Sequence, residues 1–454
     1  MTILLSLAHD GRPMPGTLLS VDDTDSPDGM CTTYLATLLI REMDDLDLIG
    51  PPRLVRLNPN IPWKTRGNAA VCLSFGHGQG VPRVCGSVMG LPVQCFPRGI
   101  PTTPSALLER AAAVIERNAQ FDCDKTNPGA VASLRRPAKA LYWQAVRRVV
   151  ERREVERALG ACGAEWRGWK NGRGIIGAAS SMSWVPHDRT WEVIVYRRPE
   201  RIGTPREIDP ESVVFMDKST RLTFNNYDYE NHHIAIAPRS PCPVLFGIRG
   251  DDRDELLVAK GMIESEPPES WLLFMTNQGT DDHIVPRTVS GAAPRESVRL
   301  RVRVASRAQD MPGGHVILRA VDANGIDLAF YEPSRSFRKV ARALVPGDDI
   351  LVYGTVRDTP RSLNVEKLRV VKLGNDRRKV GNPVCPACGK SMGSLGSAQG
   401  YRCKRCGAKA SAAEATYIEV PRAIGVGWYE PPVAARRHLH KPLRRMPTSD
   451  FNKL

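Results

Sequence analysis

Four cysteines, Cys385, Cys388, Cys403 and Cys406, stand in two C-x2-C pairs separated by fourteen residues. Each pair places two thiolates on one tight turn. Two such turns supply the four-sulfur tetrahedron that Zn2+ prefers in structural sites. Gly389 and Gly407 directly follow the second cysteine of each pair, where a knuckle turn asks for positive φ. Lys404 and Arg405 lie on the second knuckle, so a ribbon built here offers cations to a nucleic acid.

A second group is acidic. Asp22, Asp23 and Asp25 follow the apolar run Thr17-Leu18-Leu19-Ser20-Val21, and the chain then passes through Gly29 to Cys31-Thr32-Thr33. Carboxylates at a strand end suit Mg2+, which takes oxygen ligands and bridges nucleotide phosphates, with Asp22 and Asp23 as the expected ligands. A helix opening at Thr32 offers N–H groups to a phosphate, Gly29 permits close approach, and the hydroxyls of Thr32 and Thr33 lie in its first turn. An Asx turn with an N-cap fits the same residues. Further on, Asn58–Asn68 reads NPNIPWKTRGN. Two prolines and Gly67 fix it as a loop, Lys64 and Arg66 suit phosphates, and Trp63 can stack on a base. The segment GWKNGRGIIG, Gly168–Gly177, is glycine-rich and basic but only loosely like a phosphate cradle, and no GxxxxGK[ST] motif is present.

Elements must hold these groups. Leu35, Leu38 and Leu39 share one helical face after the short strand; 103–118 and 138–159 read as helices, and Val71-Cys72-Leu73 as a strand core. The first half is mixed α/β. From Arg299 to Leu373, five short strands are separated by Gly, Pro and Asp turns, which suits a small β-barrel of OB type. The 454 residues allow three or four domains. A net charge of +15 and a pI near 9.5 point to a polyanionic partner. Arg436, Arg437 and Lys441 concentrate that charge in the tail. No apolar run approaches the roughly 18 residues of a membrane helix, and the opening segment lacks the pattern of a signal peptide. The scattered cysteines outside the ribbon suit a reducing compartment, so a cytoplasmic protein with no membrane contact is expected.

Taken together, VDDTDSPDGMCTTYL, LNPNIPWKTRGNAAV, KTNPG, GWKNGRGIIGA, TFNNYDY, PVLFGIRG, TNQGTDDHI, the five-stranded region, the ribbon and GWYEPPVAARRHLHKPL resemble the archaeal isoleucine-tRNA 2-agmatinylcytidine synthetase (TiaS) family. The segment before Gly16 lies outside these motifs. The resemblance implies an α/β and α+β multidomain protein: a kinase-like α/β domain (1–158), a ferredoxin-like domain (159–290), an OB-fold β-barrel (291–376), a zinc ribbon (377–415) and a basic tail (416–454). It implies a ligase forming a C–N bond. ATP activates C2 of the wobble cytidine in an isoleucine tRNA with a CAU anticodon, agmatine replaces the C2 oxygen, ATP ends as AMP and phosphate, and the codon AUA is read. The carboxylates of Asp22, Asp23 and Asp25 would serve ATP and Mg2+, and Thr32 would be phosphorylated. Gly29, Thr33, Lys64, Arg66 and Gly67 would face ATP and its phosphates. Lys404, Arg405, Arg436, Arg437 and Lys441 would contact tRNA. No obligate protein partner is implied.

Agmatine is cationic at both ends, so its pocket should hold carboxylates; Asp209, Asp217, Asp228, Asp281 and Asp282 are the candidates. A different class of protein, a single-strand nucleic-acid binder of OB-fold plus zinc ribbon without catalysis, explains the last third and the charge. It leaves the DDTD and NPNIPWKTRG segments without a purpose.

Overall fold

The computed structural model describes residues 16–396 and 399–447; the segment set apart before Gly16 lies outside them. Strand β1 (Thr17–Asp22) is buried at every position. It runs antiparallel between β2 (Ala69–Gln79) and β3 (Gly129–Ser133), with Val21 opposite both Val71 and Ala130. Burial on both faces explains why β1 reads as an unbroken apolar run rather than an alternating one. Leu19 and Val21 pack with α1 (Thr32–Glu42) and α2 (Pro104–Asn118), whose Leu35, Leu39, Leu107 and Ile115 share their core. Leu18 faces the opposite layer of α3 (Ala140–Arg147), α4 (Arg152–Cys162) and α5 (Gly174–Met182). The sheet is thus sandwiched between two helical layers.

The single helix expected over 138–159 is two. Arg148 is extended, the β-branched Val149 and Val150 follow, and Glu151 with Glu154 forms a capping box that starts α4 afresh.

A second group of strands, β4 (Thr190–Arg197), β5 (Val244–Gly250) and β6 (Pro268–Thr276), pairs antiparallel with β4 in the middle. Helices α6 (Pro210–Ser219) and α7 (Arg253–Gly261) contribute Val213, Met216 and Leu256 to the core on one face of it. β6 also pairs with the strands Arg53–Arg56 and Arg83–Val88, so the first two units share one 13-stranded sheet. The division drawn at 158/159 therefore falls inside α4. The strand Glu165–Gly168 and α5 pack with β3 and β1 of the first unit.

The last third holds a closed barrel. Strands β7 (Ser297–Val304), β8 (Val316–Val321), β9 (Gly325–Phe330), β10 (Asp349–Arg357) and β11 (Ser362–Lys372) pair in the cyclic order β7-β8-β9-β11-β10 and back to β7. Helix α8 (Phe337–Ala343) buries Phe337 and Ala341 in the barrel core. The short strand Ile284–Pro286 already pairs with β7, ahead of the expected start at 291. After the ribbon, β12 (Gly427–Tyr429) adds to β11. The chain then returns across the second unit, where the amides of Gly279 and Asp281 donate to the carbonyls of His438 and Leu439. The tail is a strap rather than a free appendage. No helix among the described residues is long and apolar enough to cross a membrane.

Candidate nucleotide site and zinc knuckles

A cavity of about 540 Å³ opens where the C-terminal end of β1, the loop after the strand Arg53–Arg56, α5, β5 and the tail strap meet. Asp22, Asp23, Asp25, Thr32, Thr33, Lys64, Arg66 and Gly67, named from sequence, all line it. Gly29 does not; it closes a turn in which its amide donates to Ser26 Oγ at 3.1 Å.

The three carboxylates diverge. Asp22 lies against α5, so closely that a Cβ on Gly177 would fall 1.7 Å from Asp22 Oδ2. Asp23 has φ 59° and accepts the Asn127 amide at 3.0 Å. Asp25 accepts Arg66 Nε at 2.8 Å and Thr65 Oγ1 at 2.6 Å. Arg66 is therefore already neutralised, and the pair fastens the NPNIPWKTRG loop to the end of β1. Burial, reinforced by the neighbouring Asp23 and Asp25 charges, pushes the Asp22 carboxyl well above the usual range. Burial likewise raises Asp23 to about 7, against the opposing pull of the Asn127 amide. Such crowded, desolvated carboxylates call for a cation. Among the described residues only the four ribbon cysteines gather three or more metal-ligating atoms within 4.8 Å, so the aspartates do not form an all-protein cage. Their donor set fits a Mg2+ ion bound by one or two carboxylates and completed by phosphate oxygens.

Opposite them is the start of α1, where Cys31 makes no side-chain cap. Thr32 Oγ1 lies 3.1 Å from Thr24 Oγ1, and Tyr196 donates its hydroxyl to the Thr33 carbonyl at 2.8 Å. Lys64 donates to the Pro59 carbonyl, forms no ion pair among the described residues, and has its pKa lowered by burial.

Sequence reasoning missed the other wall. Glu192 on β4 is buried, accepts Arg249 Nε at 2.9 Å and lies 3.9 Å from Arg56. Its one signal was a carboxylate inside the apolar run TWEVIV. His438 Nδ1 donates to Gln278 Oε1 at 2.9 Å, and the charge of Arg56 together with burial holds the imidazole pKa well below its usual value.

The tail cations are not a free basic patch. Arg436 pairs with Glu430 at 2.9 Å, Arg437 with Glu366 at 3.2 Å and Lys441 with Asp188 at 2.8 Å, and the two arginines line the cavity. Lys404 and Arg405 are exposed on the ribbon. None of the five candidate aspartates of the second unit lines the cavity. Asp209 caps α6 and Asp217 holds Asn226 and Tyr229. Asp228 accepts the Ala434 amide, Asp281 pairs with Lys367, and Asp282 with Tyr142. Each is engaged in joining elements of the fold.

In the ribbon, Sγ atoms of Cys385 and Cys406, and of Cys388 and Cys403, are 3.4 Å apart. A Zn–S length of about 2.3 Å gives a tetrahedral edge of roughly 3.8 Å, so the four thiols fit one zinc ion after a small expansion. Gly389 and Gly407 take φ of 64° and 74°, as the knuckles require. Cys403→Ser is expected to lower bound zinc from one equivalent to well below one, and to expose residues 382–410 to proteolysis while the sheet units stay folded; metal analysis and limited digestion check this.

Three family models match the chain: the TiaS TCKD domain over residues 18–170, the TiaS FLD domain over 172–283 and the TiaS C-terminal zinc ribbon domain over 382–424. The isoleucine-tRNA 2-agmatinylcytidine synthetase TiaS of Methanocaldococcus jannaschii is 39% identical over 436 residues, 94% of this chain and 98% of that protein. The chain belongs to the TiaS family. The TiaS of Methanosarcina mazei is also 39% identical, over 96% of this chain and 98% of its own length. Among solved structures, a complex of TiaS with its isoleucine tRNA and ATP superposes with a TM-score of 0.79 at 36% identity, covering 95% of this chain and 97% of that one. A complex of TiaS with the same tRNA, AMPCPP and agmatine gives 0.78 at 34% identity, with the same coverage.

Proposed function

We propose that the chain is an isoleucine-tRNA 2-agmatinylcytidine synthetase, using ATP to activate C2 of the wobble cytidine and agmatine to displace its oxygen. The observation that carries this is the single cavity in which the aspartates, the start of α1 and Lys64 meet, in a chain related along nearly its whole length to a TiaS bound to ATP and an isoleucine tRNA.

A carbonyl oxygen is a poor leaving group until it is phosphorylated. The cytidine O2 attacks the γ-phosphorus of ATP and the bridging P–O bond breaks. The agmatine amine then adds at C2, and phosphate departs with the original oxygen as the amine loses its protons. The transfer leaves ADP, whose α–β phosphoanhydride bond is then cleaved with water as the final acceptor, so over the whole cycle ATP ends as AMP and two phosphates. Bound Mg2+ would neutralise the phosphate charge. Asp22 and Asp23 would hold it. The amides at the start of α1 and the Lys64 ammonium would orient the phosphates, and a phosphoryl group taken by the Thr32 hydroxyl would pass on to water as phosphate. The first unit then corresponds to the kinase-like domain, the second to the ferredoxin-like domain and the barrel to an OB-fold. Four cysteines would bind Zn2+, and Lys404 and Arg405 would meet RNA phosphates.

The test is AMP formation with and without agmatine and the CAU-anticodon isoleucine tRNA. A synthetase yields AMP only with both, a simple kinase yields ADP, and a nucleic-acid binder yields neither.

A further inference from the structure

We propose that Trp63 and Arg173 form the stacking platform that positions the target cytosine for phosphorylation, an assignment resting on the synthetase reading above. The Arg173 guanidinium lies 4.3 Å from the centroid of the Trp63 ring. Both side chains line the cavity, and Trp63 keeps 40% of its surface exposed although a cation already covers one face. An exposed indole at the mouth of a polar cavity offers a flat surface that any base can use.

The platform is fixed at both ends. Asp25 anchors Thr65 and Arg66 just after Trp63. Before it, Asn60 Nδ2 donates to Ser297 Oγ at 2.9 Å and to the Arg295 carbonyl at 3.0 Å on the barrel side. Arg173 immediately precedes α5, whose Gly177 abuts Asp22. One side chain therefore connects the exposed ring to the carboxylates.

That connection selects between the two bases that enter the reaction. Adenine is separated from the γ-phosphorus by a ribose and two further phosphates, whereas the accepting base must lie beside it. A ring stacked next to Arg173 occupies the acceptor position. The base must also arrive from outside, having been turned out of the anticodon loop, which matches an exposed rather than an enclosed aromatic.

The experiment measures steady-state AMP formation for the parent protein, Trp63→Ala and Trp63→Phe, varying the isoleucine tRNA and ATP separately, with zinc content and melting temperature as fold controls. Trp63→Ala is expected to lower kcat/KM for tRNA by roughly 5- to 150-fold, the range for loss of one base–aromatic stack, with the KM for ATP unchanged. Trp63→Phe should recover most of the loss. The tryptophan emission that distinguishes the parent from Trp63→Phe should be quenched by tRNA and not by ATP. A raised KM for ATP with unchanged tRNA kinetics would assign the ring to adenine and overturn the proposal, as would equal kinetics in parent and Trp63→Ala. Parent protein that makes no AMP with both substrates would instead overturn the synthetase reading itself.

Discussion

Asp22→Asn is expected to reduce ATP-dependent AMP formation by on the order of 10²-fold or more, while melting no lower than the parent protein. Phosphoryl transfer depends on electrostatic positioning of the phosphates rather than on covalent chemistry by the enzyme, so removing a charge proposed to hold Mg2+ acts directly on the rate. The effect on stability has the opposite sign. Burial raises the Asp22 carboxyl well above its unfolded value near 4. The folded state thus binds this proton more tightly, and stability falls as pH rises from the unfolded value through the folded one. The neutral amide removes that loss. Without nucleotide or Mg2+, Asp22→Asn should therefore melt at or above the parent temperature at pH 8 and match it near pH 4. A scanning-calorimetry pair at the two pH values, with an AMP assay alongside, checks both halves. Asp25→Ala should behave differently. Its partner Arg66 is only 18% exposed, and the pair is 2.5 Å apart. Losing the anion should cost about 2–3 kcal/mol of stability, less than the 3–5 typical of a fully buried pair. Activity loss there would come with a loosened loop.

Local signals made the strand, the helix α1, the five-stranded barrel and the zinc knuckles legible, because each is specified by neighbours in sequence. The apolar run of β1 needs only burial on both faces, and the knuckle glycines need only their own backbone. What was not legible arises from pairings across the chain. The sheet shared by the first two units rests on β6 meeting the strands Arg53–Arg56 and Arg83–Val88, far apart in sequence. The tail reads as a basic patch until Glu366 and Asp188, far from it in sequence, and Glu430 within it pair with its cations. The partners of the second-unit aspartates were hidden for the same reason: caps and ion pairs engage carboxylates, and composition cannot show which ones. Glycines such as Gly177 sit between these cases. The GRGIIG pattern is visible, but what it approaches is not.

Gly177→Ala is the sharpest test of that approach, and is expected to cut AMP formation on the order of 10²-fold with the fold intact. A Cβ at 177 would lie 1.7 Å from Asp22 Oδ2 and 2.6 Å from its Cγ, contacts no real methyl can make. The colliding atoms belong to the end of a side chain, so Asp22 can rotate away while α5 stays in place. Rotation takes the carboxylate out of its position at the end of β1, and a misplacement of about 1 Å at a reacting centre is enough for a loss of this size. Gly174→Ala provides the contrast. Its Cβ would meet the Gly129 amide nitrogen at 2.3 Å and the Asn127 carbonyl oxygen at 2.5 Å, both backbone atoms. Helix α5 must then separate from β3, and a fall in melting temperature should accompany the loss of activity. Gly177→Ala with parent-like AMP formation would show that the Asp22 carboxylate does not need its place against α5, and would shift the proposed Mg2+-holding role to Asp23.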